Sequence, residues 1–445
     1  MALLGASSCT DYLYDGDIDL TPSGTEEPEK PTEYTFSHPC MLFSADDFTR
    51  VKGKVAAAAA TDPVYTAWQQ LCTNQYAQTT HTANPQQTLV RGDVTGTGVA
   101  SENYINACRD AAAAIQLGLR WRIAGEEACA RKAVEILNAW AATCKTITAN
   151  DMNQYLLCGF QGYQFANAAE LVRDYEGWSE ADFTTFKKWM VDLWYKKNLE
   201  FLEKHGGTCD LHYWTNWDMA NMCSGLSIGV LTEDNEKVNY IINYFKKGKG
   251  SGCIKNLIPY APVADPAGLS AQIAQNMESG RDQGHATLVV AVCAEFCQMA
   301  YNIGEDLFGY ENNKMLSMFE YEAKYNVTPR ATGTYTCTDS DMPFTKYVYC
   351  TGCSCKDQNH GATHTRISAD GRGTIRPGWD LIYNHYAKVK NLNANNYYYT
   401  YLFADQLRYK DNALTGDGGA GDSRYGGNSA AFDQVGWGTL MFYRD

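Results

Sequence analysis

The chain has 445 residues, 45% hydrophobic and 20% charged, and this ordinary globular composition excludes wholesale disorder. Lys and Arg number 37 and Asp and Glu number 51, so the formal net charge is −14. Nucleic-acid binding requires a basic surface, so that class of function is disfavoured, whereas a local cluster of Arg and His could still bind a polyanion.

The first 35 residues are predicted to be a leader followed by a flexible acidic tether. Residues 1–9 combine a short apolar stretch, small residues and then Cys9, as at the end of a bacterial lipoprotein signal with a lipidated cysteine. Residues 10–30 are acidic and rich in Pro, Gly and Thr, a composition that cannot bury a core. The segment resembles the start of surface lipoproteins in Bacteroidetes, and an ordinary disordered leader explains it equally well. The lipoprotein interpretation predicts a periplasmic or cell-surface location.

From about residue 36 to residue 325, apolar residues recur at helical spacing, interrupted by turn signals such as Ala124-Gly125 and Gly206-Gly207. The predicted helices are Asp46–Ala60, Pro63–Gln75, Asn103–Ala124, Glu126–Cys144, Asn153–Tyr175, Glu180–Lys204, His212–Leu231, Glu236–Lys247, Leu269–Ile303 and Gly309–Tyr325.

These helices are arranged in pairs along the chain. In each pair one helix is apolar nearly all round and the other is polar on one face. Such an alternation is typical of a ring of helical hairpins with a buried inner layer and a hydrated outer layer. The sequence therefore predicts an all-α protein with an (α/α) toroid.

The pattern changes between residues 326 and 376, where Thr, Gly, Tyr, Cys and Asp dominate. This segment is predicted to be an irregular, partly β insertion or lid. Helical patterns return at Trp379–Val389 and Tyr397–Tyr409. One barrel domain over residues 36–445 is therefore preferred to two independent domains.

The 16 cysteines include two groups with different expectations. Those inside helical patterns are expected to be small buried hydrophobic residues. A second group of four clusters in the insertion and includes a C-x2-C-x-C spacing, which is not a standard zinc motif, so a local disulfide or free thiols are favoured over a metal site. This cluster consists of Cys337, Cys350, Cys353 and Cys355, with His360 and His364 just beyond.

A first candidate site segment is His212-Tyr-Trp-Thr-Asn-Trp-Asp-Met-Ala-Asn221. On a helix, His212 and Asn216 share one face, and Tyr213 and Trp217 form a neighbouring stripe. Neutral polar groups beside aromatic rings suit a sugar-binding site. Ordinary aromatic packing at a helix start is the structural alternative.

A second candidate is Glu278-Ser-Gly-Arg-Asp-Gln-Gly-His285, directly before an apolar stretch. Arg281 and His285 lie at i and i+4, and Glu278 lies three residues before Arg281. Burying Arg and His without a partner is expensive, which favours a functional role. Glu278 is also consistent with a structural role, as the group that orients Arg281.

Two weaker candidates follow. Tyr383-Asn-His-Tyr386 contains consecutive polar residues that cannot all point the same way, so at least one of them is structural. Gln161, Gln164 and Asn167 lie on an apolar helix, where hydrogen bonds between helices are favoured over contacts to sugar hydroxyls.

Several further motifs accompany these segments, namely Ala133-Val-Glu-Ile-Leu-Asn-Ala-Trp, Asp306-Leu-Phe-Gly-Tyr-Glu-Asn-Asn313, Phe319-Glu-Tyr-Glu-Ala-Lys-Tyr-Asn326 and Phe432-Asp-Gln-Val-Gly-Trp-Gly-Thr-Leu. Together they resemble the alginate lyase-like family of polysaccharide lyases, and especially its bacterial branch that acts on alginate or glucuronan. The resemblance extends from about residue 36 to the C-terminus.

This resemblance implies an (α/α) toroid that cleaves uronic-acid polymers by β-elimination. Better-known members carry an Asn-His pair, an Arg and a Tyr in the cleft. In this chain Asn216 is followed by Trp217, and His285, not a Tyr, lies within two turns of Arg281.

The elimination removes the C5 proton of a uronate, which is barely acidic while the neighbouring carboxylate is charged. Fixed donors that neutralise the carboxylate therefore suit the reaction, and Asn216 and Arg281 are assigned to that role. His285 and His212 are candidates for base or neutraliser. A Tyr is the other candidate base or acid, with Tyr386 as the first choice.

Tyr213 and Tyr310 are the next choices for that Tyr. The predicted substrate contacts are Tyr213, Trp217, Gln164, Glu278, Tyr310 and His385. No metal or other cofactor is predicted, because side chains can do the neutralising, and the expected partner is an anionic polysaccharide.

Two other functions are compatible with the sequence. A glycoside hydrolase on the same fold would need two carboxylates, and Glu278 with Asp218 is the candidate pair. A non-catalytic glycan-binding lipoprotein would bind oligosaccharides without turnover. Fold alone does not decide among these functions.

Overall fold

The computed structural model describes residues 31–350 and 361–445. The predicted lipidation site at Cys9 lies outside the described residues, as do Cys353, Cys355 and His360 of the cysteine cluster.

The described residues are mostly helical. The helices are α1 (Ala45–Ala57), α2 (Pro63–Thr73), α3 (Ile105–Ala124), α4 (Glu127–Thr143), α5 (Asn153–Val172), α6 (Glu180–Trp189), α7 (Lys196–Lys204), α8 (Thr215–Leu231), α9 (Asn235–Lys247), α10 (Ile254–Leu257), α11 (Gln283–Asn302), α12 (Tyr310–Asn326), α13 (Trp379–Asn384), α14 (Tyr398–Leu407) and α15 (Gly438–Phe442). Residues Met190–Tyr195 and His385–Val389 are π-helical. The short strands are β1 (Thr88–Val90), β2 (Thr146–Thr148), β3 (Tyr347–Val348), β4 (Thr363–His364), β5 (Tyr409–Lys410) and β6 (Ala413–Leu414).

Helices α5, α8 and α11 form part of a buried inner layer and run parallel to one another. Gly159 and Gly162 of α5 pack against Ala220 and Ser224 of α8, so residue numbers rise together along both helices. An added Cβ at Gly159 would lie 2.6 Å from the Cβ of Ala220, so glycine is what lets the two backbones approach. Between α8 and α11, Cys223 lies beside Val292 and Ser227 beside Met299, which gives the same direction.

The outer helices connect the inner ones and bury one face each. Helix α9, for example, buries Val238, Ile241, Ile242 and Phe245, at the spacing of one helical stripe. Helices α3 and α4 form a hairpin across Gly125, which has the left-handed φ of 71°. Buried helices that alternate with amphipathic ones confirm the predicted all-α toroid.

The carboxyl end of the inner layer is closed by the segment before α1. The backbone N–H of Leu42 donates to Oδ1 of Asn167 at 3.1 Å, and Nδ2 of Asn302 donates to the carbonyl of Met41 at 2.6 Å. Met41 and Leu42 are fully buried. The amino end of the layer therefore differs from the carboxyl end, which is sealed by these residues.

The prediction of one helix over Leu269–Ile303 is wrong in its first half. Asp265 accepts the backbone N–H groups of Leu269 and Ser270, both at 3.1 Å, and Val263 pairs with Ile273 in an isolated β-bridge. These contacts hold residues 263–281 in an irregular path, and helix α11 begins at Gln283.

The segment between α12 and α13 is irregular and contains the antiparallel pair β3 and β4, in which Tyr347 faces His364. It contacts the residues that precede α11, since the backbone N–H of Ser368 donates to the carbonyl of Ser279 at 3.0 Å. Among the described helices, none has the length and apolar character required to cross a bilayer.

Candidate active site

The starts of α8 and α11 lie side by side at the amino end of the inner layer. Trp214 is the N-cap of α8 and Asp282 is the N-cap of α11. The unpaired N–H groups at a helix start carry partial positive charge, so this end of the layer favours an anionic ligand. Residues of both candidate segments are brought together here.

Glu278 links the two segments. Its Oε1 accepts the backbone N–H and the Nδ2 group of Asn216, both at 2.8 Å, and its Oε2 accepts Nη1 of Arg281 at 3.0 Å. Glu278 is fully buried and Asn216 nearly so. The carboxylate therefore fixes the amide and the guanidinium relative to each other, which agrees with the interpretation of Glu278 as the group that orients Arg281.

Arg281 is half-buried, with 21% of its side chain exposed. Its guanidinium lies 4.9 Å from the centre of the Trp214 ring, and the Trp214 ring stacks on Tyr349 at 3.6 Å. Nε of Arg281 also faces Oδ2 of Asp282 at 3.5 Å. The guanidinium is held on three sides and is still reached by solvent.

His285 forms a pair with Asp282 at the start of α11. Nδ1 of His285 lies 2.7 Å from Oδ2 of Asp282, and 39% of the His285 side chain is exposed. Asp282 also caps the helix, because its Oδ1 accepts the backbone N–H of His285 at 2.9 Å. Burial raises the pKa of Asp282. The hydrogen bonds and charge of His285, together with the charge of Arg281, outweigh that effect and lower the pKa below its ordinary value.

The aromatic residues of the first segment pack beside these groups. The rings of Tyr213 and Trp217 lie 5.0 Å apart, and the rings of His212 and Tyr213 lie 4.8 Å apart. Tyr213 and Trp217 are half-buried and His212 is buried. The hydroxyl of Tyr349 donates to the backbone carbonyl of His212, so the insertion fixes this segment.

His364 of β4 also lies at this site, although the sequence around it does not predict such a role. Its Nδ1 is 2.7 Å from the carbonyl oxygen of Gly280, the residue before Arg281. Its ring stacks on Tyr347 and meets the edge of Trp214, with ring centres 4.8 and 5.9 Å away. Burial, with a further contribution from the nearby Arg281 cation, lowers the pKa of His364.

A second buried carboxyl, Glu322 of α12, supports the turn that carries Glu278. Its Oε1 accepts the hydroxyl of Ser279 and, at 3.2 Å, Nδ2 of Asn276. Oδ1 of Asn276 in turn accepts the backbone N–H of Glu278 at 2.7 Å. Burial, opposed in part by the Ser279 hydroxyl and reinforced by Glu278, raises the pKa of Glu322 to about 8.

The structure does not bring Tyr386 and His385 to this site. The fully buried hydroxyl of Tyr386 donates to the carbonyl of Phe308 at 3.0 Å, and the ring of His385 stacks on Phe308 at 3.9 Å. Phe308 follows the carboxyl end of the 20-residue α11, about 30 Å from its start at a rise of about 1.5 Å per residue. Burial lowers the pKa of His385 to about 3, so the ring is neutral and packs in the core. The assignments of Tyr386 as base and of His385 as a substrate contact are therefore revised.

Tyr310 and Gln164 are also placed elsewhere. Tyr310 begins α12, beyond the carboxyl end of α11, and Nζ of Lys246 lies 5.4 Å from its ring centre. Gln164 is fully buried within α5 and donates from Nε2 to the carbonyl of Phe432 at 2.6 Å. The predicted substrate contacts of both residues are therefore revised, because one is at the opposite end and the other is sealed in the core.

The carboxylate pair required for the hydrolase alternative does not form an accessible acid and base. Asp218 is fully buried, and it accepts Nε2 of His205 at 3.0 Å, the backbone N–H of Gly252 at 3.0 Å and the hydroxyl of Tyr244 at 3.2 Å. With Glu278 holding Asn216 and Arg281, both carboxylates have structural partners.

In the part of the chain that the structure describes, one group of side chains has the spacing of metal ligands, and it is remote from this site. His38, Cys40 and Glu170 lie near the carboxyl end of α5. Nη1 of Arg173 lies 2.6 Å from Nδ1 of His38 and 3.0 Å from Oε2 of Glu170. The Arg173 guanidinium therefore supplies a positive charge next to the Glu170 carboxylate.

A protein-family comparison matches residues 54–256 of the chain to the model described as alginate lyase. The resemblance to alginate lyases is confirmed. The matched region ends before Glu278, so it includes the His212–Asn221 segment but not the Arg281 segment. This alginate lyase match supports a polysaccharide lyase. No curated protein matches the chain in a sequence search.

Solved structures share the fold over nearly the whole chain. Alginate lyase A1-III from Sphingomonas species A1 is 13% identical, with a TM-score of 0.55 over 91% of this chain and 96% of that one. An alginate lyase from Bacteroides ovatus is 12% identical, with a TM-score of 0.52 over 85% of this chain and 97% of that one. Because these identities are low, the two alginate lyase structures establish only the fold of this chain, an (α/α) toroid.

Proposed function

We propose that the protein is a polysaccharide lyase that cleaves a 4-linked uronic-acid polymer, alginate or glucuronan, by β-elimination. The observation that carries the proposal is the Glu278 bridge, which holds the Asn216 amide beside the partly exposed Arg281 guanidinium. The match to the alginate lyase model supports the same class of reaction.

The chemistry explains why these two groups belong together. Loss of the C5 proton moves negative charge onto the carboxylate of the same sugar, and the barrier falls when fixed donors stabilise that charge. A guanidinium has five N–H donors in a planar fork that matches a carboxylate. Nη1 of Arg281 faces Glu278 and its Nε faces Asp282. The remaining N–H donors of the guanidinium are assigned to the substrate carboxylate.

Proton transfer is assigned to histidine. Asp282 accepts a hydrogen bond from Nδ1 of His285, which leaves Nε2 as the atom that exchanges a proton. His212 is assigned as a second neutralising group, and no metal ion is required by this scheme. Trp217 and Tyr213 are assigned as the sugar platform because they are half-buried aromatic rings next to Asn216.

An acidic protein can attract this anionic polymer through local charge. The helix starts of α8 and α11 and the Arg281 cation lie at one end of the inner layer, whereas residues 1–30, with seven Asp and Glu and one Lys, carry −6 of the net charge of −14. At physiological salt, the repulsion between exposed charges is largely screened beyond about 8 Å.

The proposed activity is tested by incubating the protein with mannuronate-rich alginate, guluronate-rich alginate and glucuronan. At least one polymer is expected to yield products that absorb ultraviolet light through a C4=C5 double bond. Arg281→Ala is expected to lower kcat by about 100- to 1000-fold, as for the loss of one charge-stabilising donor. Normal turnover by a folded Arg281→Ala variant would remove Arg281 from the scheme.

The location proposed for the enzyme is the periplasm or the cell surface, through a lipid on Cys9. Expression in a bacterium that processes lipoproteins is expected to place the wild-type protein in the membrane fraction. Cys9→Ser is expected to move it to the soluble fraction, and an unchanged distribution would contradict the anchor.

A further inference from the structure

His364 has a fixed tautomer. The carbonyl oxygen of Gly280 can only accept, so the 2.7 Å contact to Nδ1 requires that Nδ1 carry the hydrogen in the neutral ring. The other nitrogen, Nε2, is then unprotonated and has a lone pair. Stacking on Tyr347 fixes the plane of the ring.

Nε2 is buried and has no hydrogen-bond partner among the described residues. A buried nitrogen acceptor without a partner is costly in a folded protein, and functional sites are where such groups are retained. His364 lines a cavity of about 260 Å³ together with Gly280, Thr363 and residues 365–370. The cavity therefore lies against the residue that immediately precedes Arg281.

The surroundings favour the neutral ring as a proton acceptor. Among the described residues, the Arg281 cation is the charged group that acts on His364, and Trp214, Tyr347 and Gly280 are the groups packed against it. Desolvation has the largest effect and disfavours the imidazolium; the hydrogen bond to Gly280 opposes it in part, and the Arg281 cation disfavours the imidazolium further, so the pKa of His364 is lowered. When a substrate carboxylate neutralises Arg281, the cation no longer opposes protonation of His364.

We propose that Nε2 of His364 is the atom that takes the C5 proton of the uronate, which makes His364 a catalytic residue. This inference rests on the proposed lyase function and adds a base that neither the sequence motifs nor the comparisons assign. The residues that hold the ring, Gly280 and Tyr347, act as positioning residues.

The step balances as follows. The C5–H bond breaks and its proton goes to Nε2 of His364. The electron pair of that bond forms the C4=C5 double bond, and the C4–O4 bond breaks with its electrons on the leaving oxygen. That oxygen takes a proton from the imidazolium of His285, and both histidines regain their starting state by exchange with water.

Two substitutions separate catalysis from structure. In His364→Asn, the amide nitrogen falls near the position of Nδ1, so the hydrogen bond to Gly280 can be kept while Nε2 is lost. In His364→Gln, the amide lies near the position of Nε2, and the bond to Gly280 is lost. Thr345→Ala, an exposed change in the same insertion but outside the lining of this cavity, is the matched control.

The measurements are kcat, KM and the thermal melting temperature on a polymer that the wild-type protein converts to unsaturated product. For His364→Asn the expected result is a fall in kcat of about 100-fold or more, with KM and melting temperature close to wild type. Thr345→Ala is expected to behave as wild type.

The inference is overturned if His364→Asn turns over at the wild-type rate, or if it loses activity only in proportion to lost binding or folding. A His364→Asn variant that is active beside an inactive His364→Gln would show that the Gly280 contact alone matters. Absence of unsaturated product from the wild-type protein would instead overturn the proposed lyase function, and this inference with it.

Discussion

At the scale of single residues, one buried carboxylate organises the candidate site. Glu278 accepts from Asn216 with one oxygen and from Arg281 with the other. A buried charge is tolerated when it is paired and hydrogen-bonded, and removal of one partner leaves the others unsatisfied. The site therefore depends on Glu278 without requiring that it touch the substrate.

Glu278→Gln tests this dependence. The amide keeps the shape but removes the charge that holds Arg281, so we expect a loss of stability of about 1–3 kcal/mol. Displacement of the guanidinium is expected to lower kcat/KM by about 100-fold. Urea unfolding and initial rates measure the two effects.

A double-mutant cycle provides the control for this prediction. If Glu278 acts through Arg281, Glu278→Gln and Arg281→Ala are expected to be strongly non-additive in kcat/KM. Additive effects would show that the two residues work independently.

Glu322 predicts a pH dependence of stability with a definite sign. Its pKa of about 8 in the folded protein exceeds the ordinary carboxyl value, so the folded state holds a proton that the unfolded state releases. Between the unfolded and folded values, stability therefore falls as pH rises, by at most about 1.4 kcal/mol per pH unit.

Glu322→Gln is expected to remove that loss. The stability difference between the variant and the wild-type protein, measured by urea unfolding between pH 5 and pH 8, should grow in favour of the variant as pH rises. A difference that does not change with pH would show that Glu322 is ionised in the folded protein.

At the scale of elements, the start of α11 combines two tasks in Asp282. This residue caps the helix and holds the imidazole of His285. Asp282→Asn keeps a good N-cap but removes the charge beside His285, whereas Asp282→Ala removes both. We expect Asp282→Asn to lower kcat with little change in stability, and Asp282→Ala to cost about 1 kcal/mol in addition.

Ser179→Ala is the matched control for Asp282. Ser179 caps the outer helix α6 by accepting the backbone N–H of Asp182 at 3.1 Å. Its loss is expected to cost a similar free energy of unfolding without any effect on kcat. An active Asp282→Asn variant would show that the carboxylate does not assist His285.

The same helix illustrates what the sequence could and could not predict. The apolar pattern after His285 and the polar block before it predicted both a buried helix and a site at its head. The pattern did not reveal that residues 269–281 are irregular, because Asp265, which accepts the N–H groups of Leu269 and Ser270, is itself held by Lys324 and Tyr399 from distant parts of the chain. His364 was not predicted as a site residue, because its contact to Gly280 spans 84 residues of sequence.

At the scale of the whole molecule, the parallel inner helices separate two ends with different structures. The amino end gathers Asn216, Arg281 and His285, and the carboxyl end is closed by Met41 and Leu42. The motif around Tyr386 shares the family resemblance but lies near the closed end. A sequence motif indicates which family a chain resembles. The position of that motif in the ring is set by the fold of the whole chain, and the motif alone does not predict it.

Tyr386→Phe tests this separation. The hydroxyl donates to the carbonyl of Phe308 in the core, so its loss is expected to reduce stability by about 1 kcal/mol. Because the site is at the other end of α11, kcat, KM and the pH profile should match those of the wild-type protein. A large fall in kcat with unchanged stability would restore Tyr386 as the catalytic tyrosine.

The most direct measurement compares the number of C4=C5 double bonds with the number of chain ends formed while the protein degrades a uronic-acid polymer. β-Elimination predicts one double bond, seen by ultraviolet absorbance, for each new reducing end. New reducing ends without absorbance would mean hydrolysis, and would contradict the account of Arg281, Asn216 and the histidines as an elimination site.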